Sequence, residues 1–350
     1  MHMADALISP AVGGAFWAAS AGLIGYSCKK IKSELSDSKV PLMGVVGAFV
    51  FSAQMINFTI PGTGSSGHLG GGMILAILLG PWAGFIVMAS ILTVQALFFA
   101  DGGILALGCN IFNMGFWTCF VMYPLVYKKI VRQHHSSQSK LFWGSMIAAV
   151  VGLQLGAFNV VLQTVLSGIS ELPFAGFLAA MQPIHLGIGI VEGFITAGVV
   201  AFVVKAQPQL LEITIPQADK SPVSIKLVAA SLLIAAVITG GALSWFASGH
   251  PDGLEWSMFK TSGAEELDTP DNAVYDKSSG LQEMTAFLPD YGFKESEVAV
   301  AAEETAESWP AVSVGTTVSG LVGGLLTLAL AFGIGFLLKF KRKIPSPAVS

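Results

Sequence analysis

Residues 62–100 read GTGSSGHLGGGMILAILLGPWAGFIVMASILTVQALFFA, a stretch without a single Asp, Glu, Lys or Arg. It opens as a glycine-rich loop around one histidine, His68. An apolar run follows at 69–80, a break at Gly80-Pro81-Trp82, and a second apolar run at 82–100. A bilayer crossing takes about 20 predominantly apolar residues. The second run meets that length. The first is short and reads as a broken or partly inserted helix.

The pattern repeats outward from this stretch. The chain has 350 residues, of which 53% are hydrophobic and 11% charged, against roughly 25% charged in a soluble domain. Apolar spans are expected at 8–28, 41–60, 69–80, 82–100, 104–127, 141–168, 178–204, 227–247 and 314–338. The expected fold is an all-α integral membrane protein, with a seven-helix bundle at 1–205 and a two-helix C-terminal module at 227–343. A polar, proline-containing linker at 206–226 joins them, and the module's two spans bracket a segment at 248–313.

Basic residues orient these spans. Lys29, Lys30 and Lys32 follow the first, Lys128, Lys129 and Arg132 the fifth, Lys205 the seventh, and Lys339, Lys341, Arg342 and Lys343 the ninth. The positive-inside rule assigns them all to the cytoplasm. The N-terminus is then outside, the C-terminus cytoplasmic, and 248–313 extracytoplasmic. No basic residue precedes the first apolar run, so that run does not read as a cleaved signal peptide. Of 22 acidic residues, 14 fall in 248–313, against three lysines. Either acidic residues collect outside because basic ones are held inside, or they concentrate cations near an entrance.

The N-terminus carries the most specific chemistry. The chain begins MHMADALISP, and the bulk of His2 predicts that Met1 is retained. The Met1 amine, the His2 amide nitrogen and His2 Nδ1 follow one another along the chain. A metal bound by all three closes a five-membered and a six-membered ring, with three nitrogens in one plane. Tetragonal nitrogen ligation points to Ni(II) or Cu(II). His68, expected on the same outer face, is the natural fourth donor. Its glycines would let the N-terminal segment approach without side-chain clash. Taken singly, a histidine at position 2 is usually solvated and one in a glycine loop usually structural.

Other polar groups lie in or beside the spans. Glu192 sits inside the seventh, and a carboxylate there is a functional candidate by default. His185 lies seven residues earlier on the same face, and Asp101 ends the fourth span. These three form a possible secondary polar site. For Gln54, Asn57, Asn110, Asn113, Asn159 and Gln163 the expectation is interhelical hydrogen bonding. His134 and His135 follow a basic stretch and are expected to face solvent. Cys28, Cys109 and Cys119 show no pairing pattern and read as apolar filler.

Rows of small residues spaced by four mark two helices: Gly14-Ala18-Gly22 with Ala11-Ala15-Ala19, and Ser319-Gly323 with Gly320-Gly324. Such rows let another helix approach closely, in this chain or in a partner. No G-x-x-x-x-G-K-[ST] and no H-E-x-x-H occurs, so neither a P-loop ATPase nor zinc-protease chemistry is supported.

Five stretches together, MH…D at the start, AQMINFTIPGTGSSGHLGGG, LLGPWAGFIVMA, QALFFADGGILALGCNIFNMG and IHLGIGIVEGFITAG, resemble the nickel/cobalt substrate-specific components of energy-coupling-factor transporters, the CbiM/NikM type. The resemblance covers about residues 1–205. Residues 223–340, with PDGLE at 251–255, resemble the small accessory subunit of the same systems, here fused on.

The resemblance implies a seven-helix bundle whose N-terminus folds inward. It implies one Ni(II) or Co(II), as transported substrate, held by the Met1 amine, the amide and imidazole of His2, and His68, with no organic cofactor. It implies a transmembrane coupling protein and two cytoplasmic P-loop ATPases as partners. It also implies Gly14, Ala15, Ala18 and Ala19 as docking positions for the coupling protein. Many relatives carry Ile-Pro at positions 3 and 4 and Gly at 6, where this chain has Met3, Ala4 and Ala6; Met1, His2 and Asp5 are kept.

The expected function is thus substrate capture for ATP-driven nickel or cobalt uptake, a pathway that also feeds cobalamin biosynthesis, in a bacterial or archaeal cell membrane. No enzyme activity and no nucleic-acid partner is expected. The alternatives are a proton-coupled secondary divalent-metal transporter using Asp101, His185 and Glu192, and a membrane-bound metal sensor.

Overall fold

A computed structural model describes the chain except for residues 1, 132–136, 212–222, 265–266, 295–308 and 341–350. Met1, His134, His135 and most of the linker therefore lie outside the described residues. Helices α1 (Pro10–Ile31), α2 (Lys39–Gln54), α3 (Gly72–Leu79), α4 (Pro81–Phe99) and α5 (Leu107–Ile130) come first. They are followed by α6 (Gln138–Ser167), α7 (Phe174–Ala206), α8 (Ile225–Gly241), α9 (Gly253–Ser262), α10 (Ala273–Thr285) and α11 (Val314–Phe340).

Local signals explain most boundaries. Ser9, Ser137 and Ser224 cap α1, α6 and α8, each side chain accepting a backbone N–H of the first turn, which satisfies donors that the helix leaves unpaired. Pro10 and Pro81 occupy first turns, where the missing N–H costs nothing. Between α3 and α4, Gly80 has φ +81°, a conformation open to glycine, and the two helices fold back on each other.

Among the described residues, five helices, α4, α5, α6, α7 and α11, have the length and apolar composition to cross a membrane. The apolar helices α2 and α8 are shorter, at 16 and 17 residues. With 8 residues, α3 is about 12 Å long at 1.5 Å per residue. It cannot cross a bilayer and lies wholly buried in the bundle.

Among the described residues, the structure departs from an all-α expectation in one place. Helix α2 stops at Gln54, and residues expected to complete a span to 60 form β1 (Phe58–Ile60), paired antiparallel with β2 (Ser65–Gly67). The turn between them uses Gly62 and Gly64 at φ +77° and +75°. The C-terminal module also holds more than acidic chain outside its spans. Helix α9 packs on α7, and α10 on α4.

Candidate metal centre

The site is built on the segment that follows β2. Gln54, at the end of α2, donates to the Gly70 carbonyl at 2.9 Å. From α7, the Glu192 carboxylate accepts the Gly70 and Gly71 amides at 2.9 and 3.1 Å. Gly71 has φ +76°, so consecutive amides can turn toward one acid. His68 projects from this clamped segment. Its Nδ1 donates to the Leu69 carbonyl at 3.1 Å. A carbonyl only accepts, so Nδ1 carries the proton and Nε2 the lone pair.

The N-terminal segment is anchored separately. Asn110 brackets Met3, accepting its amide at 2.9 Å and donating to its carbonyl at 3.2 Å. The Gly103 amide donates to that same carbonyl at 2.9 Å. Asp5 accepts the Ala106 amide at 2.9 Å and the Ser278 hydroxyl of α10. A Cβ at Gly103 would fall on the Asp5 backbone and carboxylate. The N-terminus thus lies in a slot that this glycine keeps open.

These anchors bring His2 beside His68, their ring centroids 4.9 Å apart. His2 Nδ1 donates to Asp101 at 2.5 Å, and its buried Nε2 has no hydrogen-bond partner. A chelate through Nδ1 therefore requires the ring to leave Asp101, and a half-turn about Cβ–Cγ exchanges Nδ1 with Cδ2. Asp101 also accepts the Tyr291 hydroxyl at 2.5 Å. Burial raises the Asp101 carboxyl, but the His2 charge and the hydrogen bonds from His2 and Tyr291 outweigh it and bring it to about 2.

Burial holds the His68 imidazole down to about 3, and the His2 charge acts in the same direction. His68 is therefore neutral at pH 7. Its Nε2 stands 4.0 Å from Asp252 Oδ2, and with a neutral imidazole that contact is no ion pair. Asp252 is the N-cap of α9. Its Oδ1 accepts the Leu254 and Glu255 amides at 2.7 and 2.9 Å, while Glu255 accepts the Asp252 amide at 2.9 Å. No three described His, Cys, Asp or Glu side chains stand at coordination spacing. The chelate expected from sequence relies instead on main-chain nitrogens beside two imidazoles.

A family profile described as the cobalt uptake substrate-specific transmembrane region, CbiM, matches residues 2–210. The chain belongs to the CbiM family. A second profile, the PDGLE domain, matches residues 226–340. A relative from Archaeoglobus fulgidus, provisionally named fused nickel transport protein NikMN, is 32% identical over 95% of this chain and 98% of its own length. The cobalt transport protein CbiM of Sorangium cellulosum is 29% identical over 61% of this chain and 95% of its own length. A crystal structure of a transition metal transporter superposes with TM-score 0.52 at 32% identity, covering 61% of this chain and 97% of that one. The relatives are transport proteins, and this CbiM-family chain is a transporter component, not an enzyme.

In this CbiM-family chain, Asp101, His185 and Glu192 do not gather into one polar site. Asp101 serves His2 and Tyr291, and Glu192 clamps the His68 segment. His185 donates from Nδ1 to the Met181 carbonyl at 2.8 Å. The buried amides do form an interhelical network: Asn159 donates to Asn113 at 2.6 Å, and Asn113 and Gln163 pair at 2.8 and 3.0 Å. The three cysteines are free.

The two rows of small residues have opposite fates. On α11, Ser319, Gly320, Gly323 and Gly324 are buried, with Gly320 against the Gly240 backbone and Gly323 against the Phe51 ring. On α1, Gly14, Ala15, Ala18 and Ala19 are all exposed, and a Cβ at Gly14 would meet nothing within 4 Å.

Among the described residues, the close neighbours of the loop glycines lie outside the N-terminal segment. A Cβ at Gly67 would strike Ile188, and one at Gly72 would strike Thr118; the N-terminal slot belongs to Gly103. Sequence reasoning also missed Asp252, Tyr291 and Ser278. Asp252 had a legible signal, since Asp-x-x-Glu before an apolar residue marks a helix start. Tyr291 and Ser278 had none.

Proposed function

We propose that the chain is the substrate-capture component of an ATP-driven uptake transporter for Ni(II) or Co(II). The ion is held by the Met1 amine, the His2 amide, His2 Nδ1 and His68 Nε2. The observation that carries this reading is the pairing of His2 and His68, 66 positions apart in the sequence, at a centroid distance of 4.9 Å. Four nitrogens in a plane suit Ni(II). The names of the relatives, which include both nickel and cobalt transport proteins, support the substrate class.

In this reading residues 1–205 form a seven-span capture domain, 206–226 a cytoplasmic linker, and 227–343 a two-span accessory module. The N-terminus is outside and the C-terminus cytoplasmic. The partners are a membrane coupling protein, which meets the exposed α1 face at Gly14, Ala15, Ala18 and Ala19, and two P-loop ATPases. Segment 248–313 helps to load the site, since it brings Asp252, Ser278 and Tyr291 to the residues around it.

The decisive experiment adds one residue before Met1 and measures Ni(II) binding to the purified chain by calorimetry. The extension displaces the amine and keeps both histidines, so affinity should collapse. Full affinity in the extended chain would remove the chelate. Binding should also weaken on acidification, because each donor must be free of its proton.

A further inference from the structure

Helix α10 runs across the ends of the bundle helices and meets three of them along its length. Tyr275 donates its hydroxyl to the Ile8 carbonyl at 3.0 Å, just before α1. Ser278 accepts the Leu105 amide at 3.2 Å, just before α5. Gln282 donates to the Ala96 and Gly102 carbonyls at 2.9 and 2.8 Å, around the end of α4. Tyr275, Ser278 and Gln282, spaced by three and four, form the inward face of the helix.

This position fixes the depth of α10. Helix α4 has 19 residues and is about 28 Å long at 1.5 Å per residue. The hydrocarbon core of a bilayer is roughly 30 Å thick, so the end of α4 marks its edge. Gln282 is bonded to the last turn of α4, and the Leu288 amide donates to the Phe98 carbonyl at 3.2 Å. The helix therefore sits where hydrocarbon gives way to headgroups.

The rest of its surface is divided. Val274, Leu281 and Met284, at intervals of seven and three, share one flank, and all three are exposed, Met284 by 86%. Phe287, also exposed, continues this apolar strip onto a membrane-spanning helix, its ring centroid 5.6 Å from that of Phe98 on α4. Asp276 and Glu283, seven apart and exposed, take the opposite flank. Lys277 stands between Val274 and Leu281 on the apolar side. A lysine so placed lays its stem along apolar surface and lifts its ammonium toward lipid phosphates.

We infer that α10 lies in the plane of the membrane surface, with Val274, Leu281, Met284 and Phe287 seated in the edge of the hydrocarbon and Asp276 and Glu283 in water. The occupant of the apolar flank is phospholipid. The depth set by α4, the unbroken apolar surface from Phe98 to Phe287 and the placement of Lys277 all select lipid over a protein partner. A flank of this kind binds through its buried apolar area. The inward face of the same helix holds Asp5 and the Ile8 carbonyl, so the bilayer supports the slot in which the N-terminal segment lies. The leaflet is the outer one on the orientation proposed above; the lipid contact itself does not depend on that orientation.

The test places one cysteine at a time in the full chain, as Leu281→Cys, Met284→Cys, Asp276→Cys or Glu283→Cys, with Cys28→Ala; Cys109 and Cys119 are buried. Each is labelled with an environment-sensitive fluorophore and reconstituted into phosphatidylcholine vesicles, with or without a lipid bearing a nitroxide just below its headgroup. Emission from positions 281 and 284 should be blue-shifted, largely lost to the nitroxide lipid and spared by aqueous iodide. Emission from 276 and 283 should show the reverse. Iodide quenching at 281 and 284 would mean that the flank faces water. Protection there from both quenchers would mean that protein covers it, either another segment or a second copy. Equal nitroxide quenching at all four positions would mean that the helix is immersed without a preferred face. Any of these overturns the inference. A membrane-impermeant maleimide applied to intact cells should label Glu283→Cys. Labelling only after lysis, with the quenching pattern as expected, would overturn the outside orientation and leave the lipid contact standing.

Discussion

Tyr291 donates its hydroxyl to the Asp101 carboxylate at 2.5 Å, so the acid that holds His2 is itself held by the C-terminal module. The same phenol accepts from Gln95, Gln95 donates to Gln54, and Gln54 donates to the Gly70 carbonyl. One chain of hydrogen bonds thus runs from the module, past the partner of His2, to the segment that carries His68. A hydrogen bond to a charged group contributes about 1.5–3 kcal/mol net and a neutral one about 1 kcal/mol. Tyr291→Phe should therefore lower the thermal midpoint of the purified chain more than Tyr275→Phe, which loses only a bond to the Ile8 carbonyl. Equal shifts would show that the Asp101 contact carries no special weight.

Glu192→Gln should loosen the metal segment. Glutamine offers one acceptor where two amides converge, and turns its NH₂ toward the other. Leaving a buried donor unpaired costs about 1–3 kcal/mol. Because Glu192 orients the ligand segment without being a ligand, Ni(II) affinity should fall roughly ten- to hundredfold. Calorimetry measures this directly, and unchanged affinity would mean that Gln54 alone holds the loop.

Gly103→Ala should displace the N-terminal segment, since its Cβ would overlap Asp5. Ni(II) binding should drop as far as it does on extending the N-terminus, with the helical content by circular dichroism unchanged. Wild-type binding would place the clearance elsewhere.

Ala18→Trp should leave Ni(II) binding by the isolated chain intact, because Ala18 is exposed on α1 and remote from the site. It should lower uptake in cells that express the complete transporter. Full uptake would argue that this face meets only lipid.

Stability should rise with pH between about 3 and 6.5. The unfolded chain binds the His68 proton near pH 6.5, the folded chain only near 3. Through that window the unfolded state holds more protons, so stability is complete above it and declines as pH falls. Asp101 adds the same sign between 3.8 and about 2. Going from pH 7 to pH 4 should cost the wild type more in thermal midpoint than it costs His68→Gln. Identical pH profiles would refute the assignment to His68.

The sequence by itself determined what is local. Apolar runs of bilayer length, Ser and Asp caps, the Gly80-Pro81 break and the Met1-His2 donor series are all set by neighbours a few residues apart, where period, length and turn chemistry act directly. The tertiary structure alone decided what depends on partners. Two identical small-residue devices became a buried seam on α11 and an exposed face on α1, because helix spacing says that a close approach is possible and not which helix makes it. Glu192 read as an intramembrane acid and became a clamp for two loop amides. Asp252 and Tyr291, at 184 and 223 positions from His68, reached the site because α9 and α10 fold down onto α7 and α4. That contact is made by shape and hydrogen bonding between distant segments, and no periodicity along the chain encodes it.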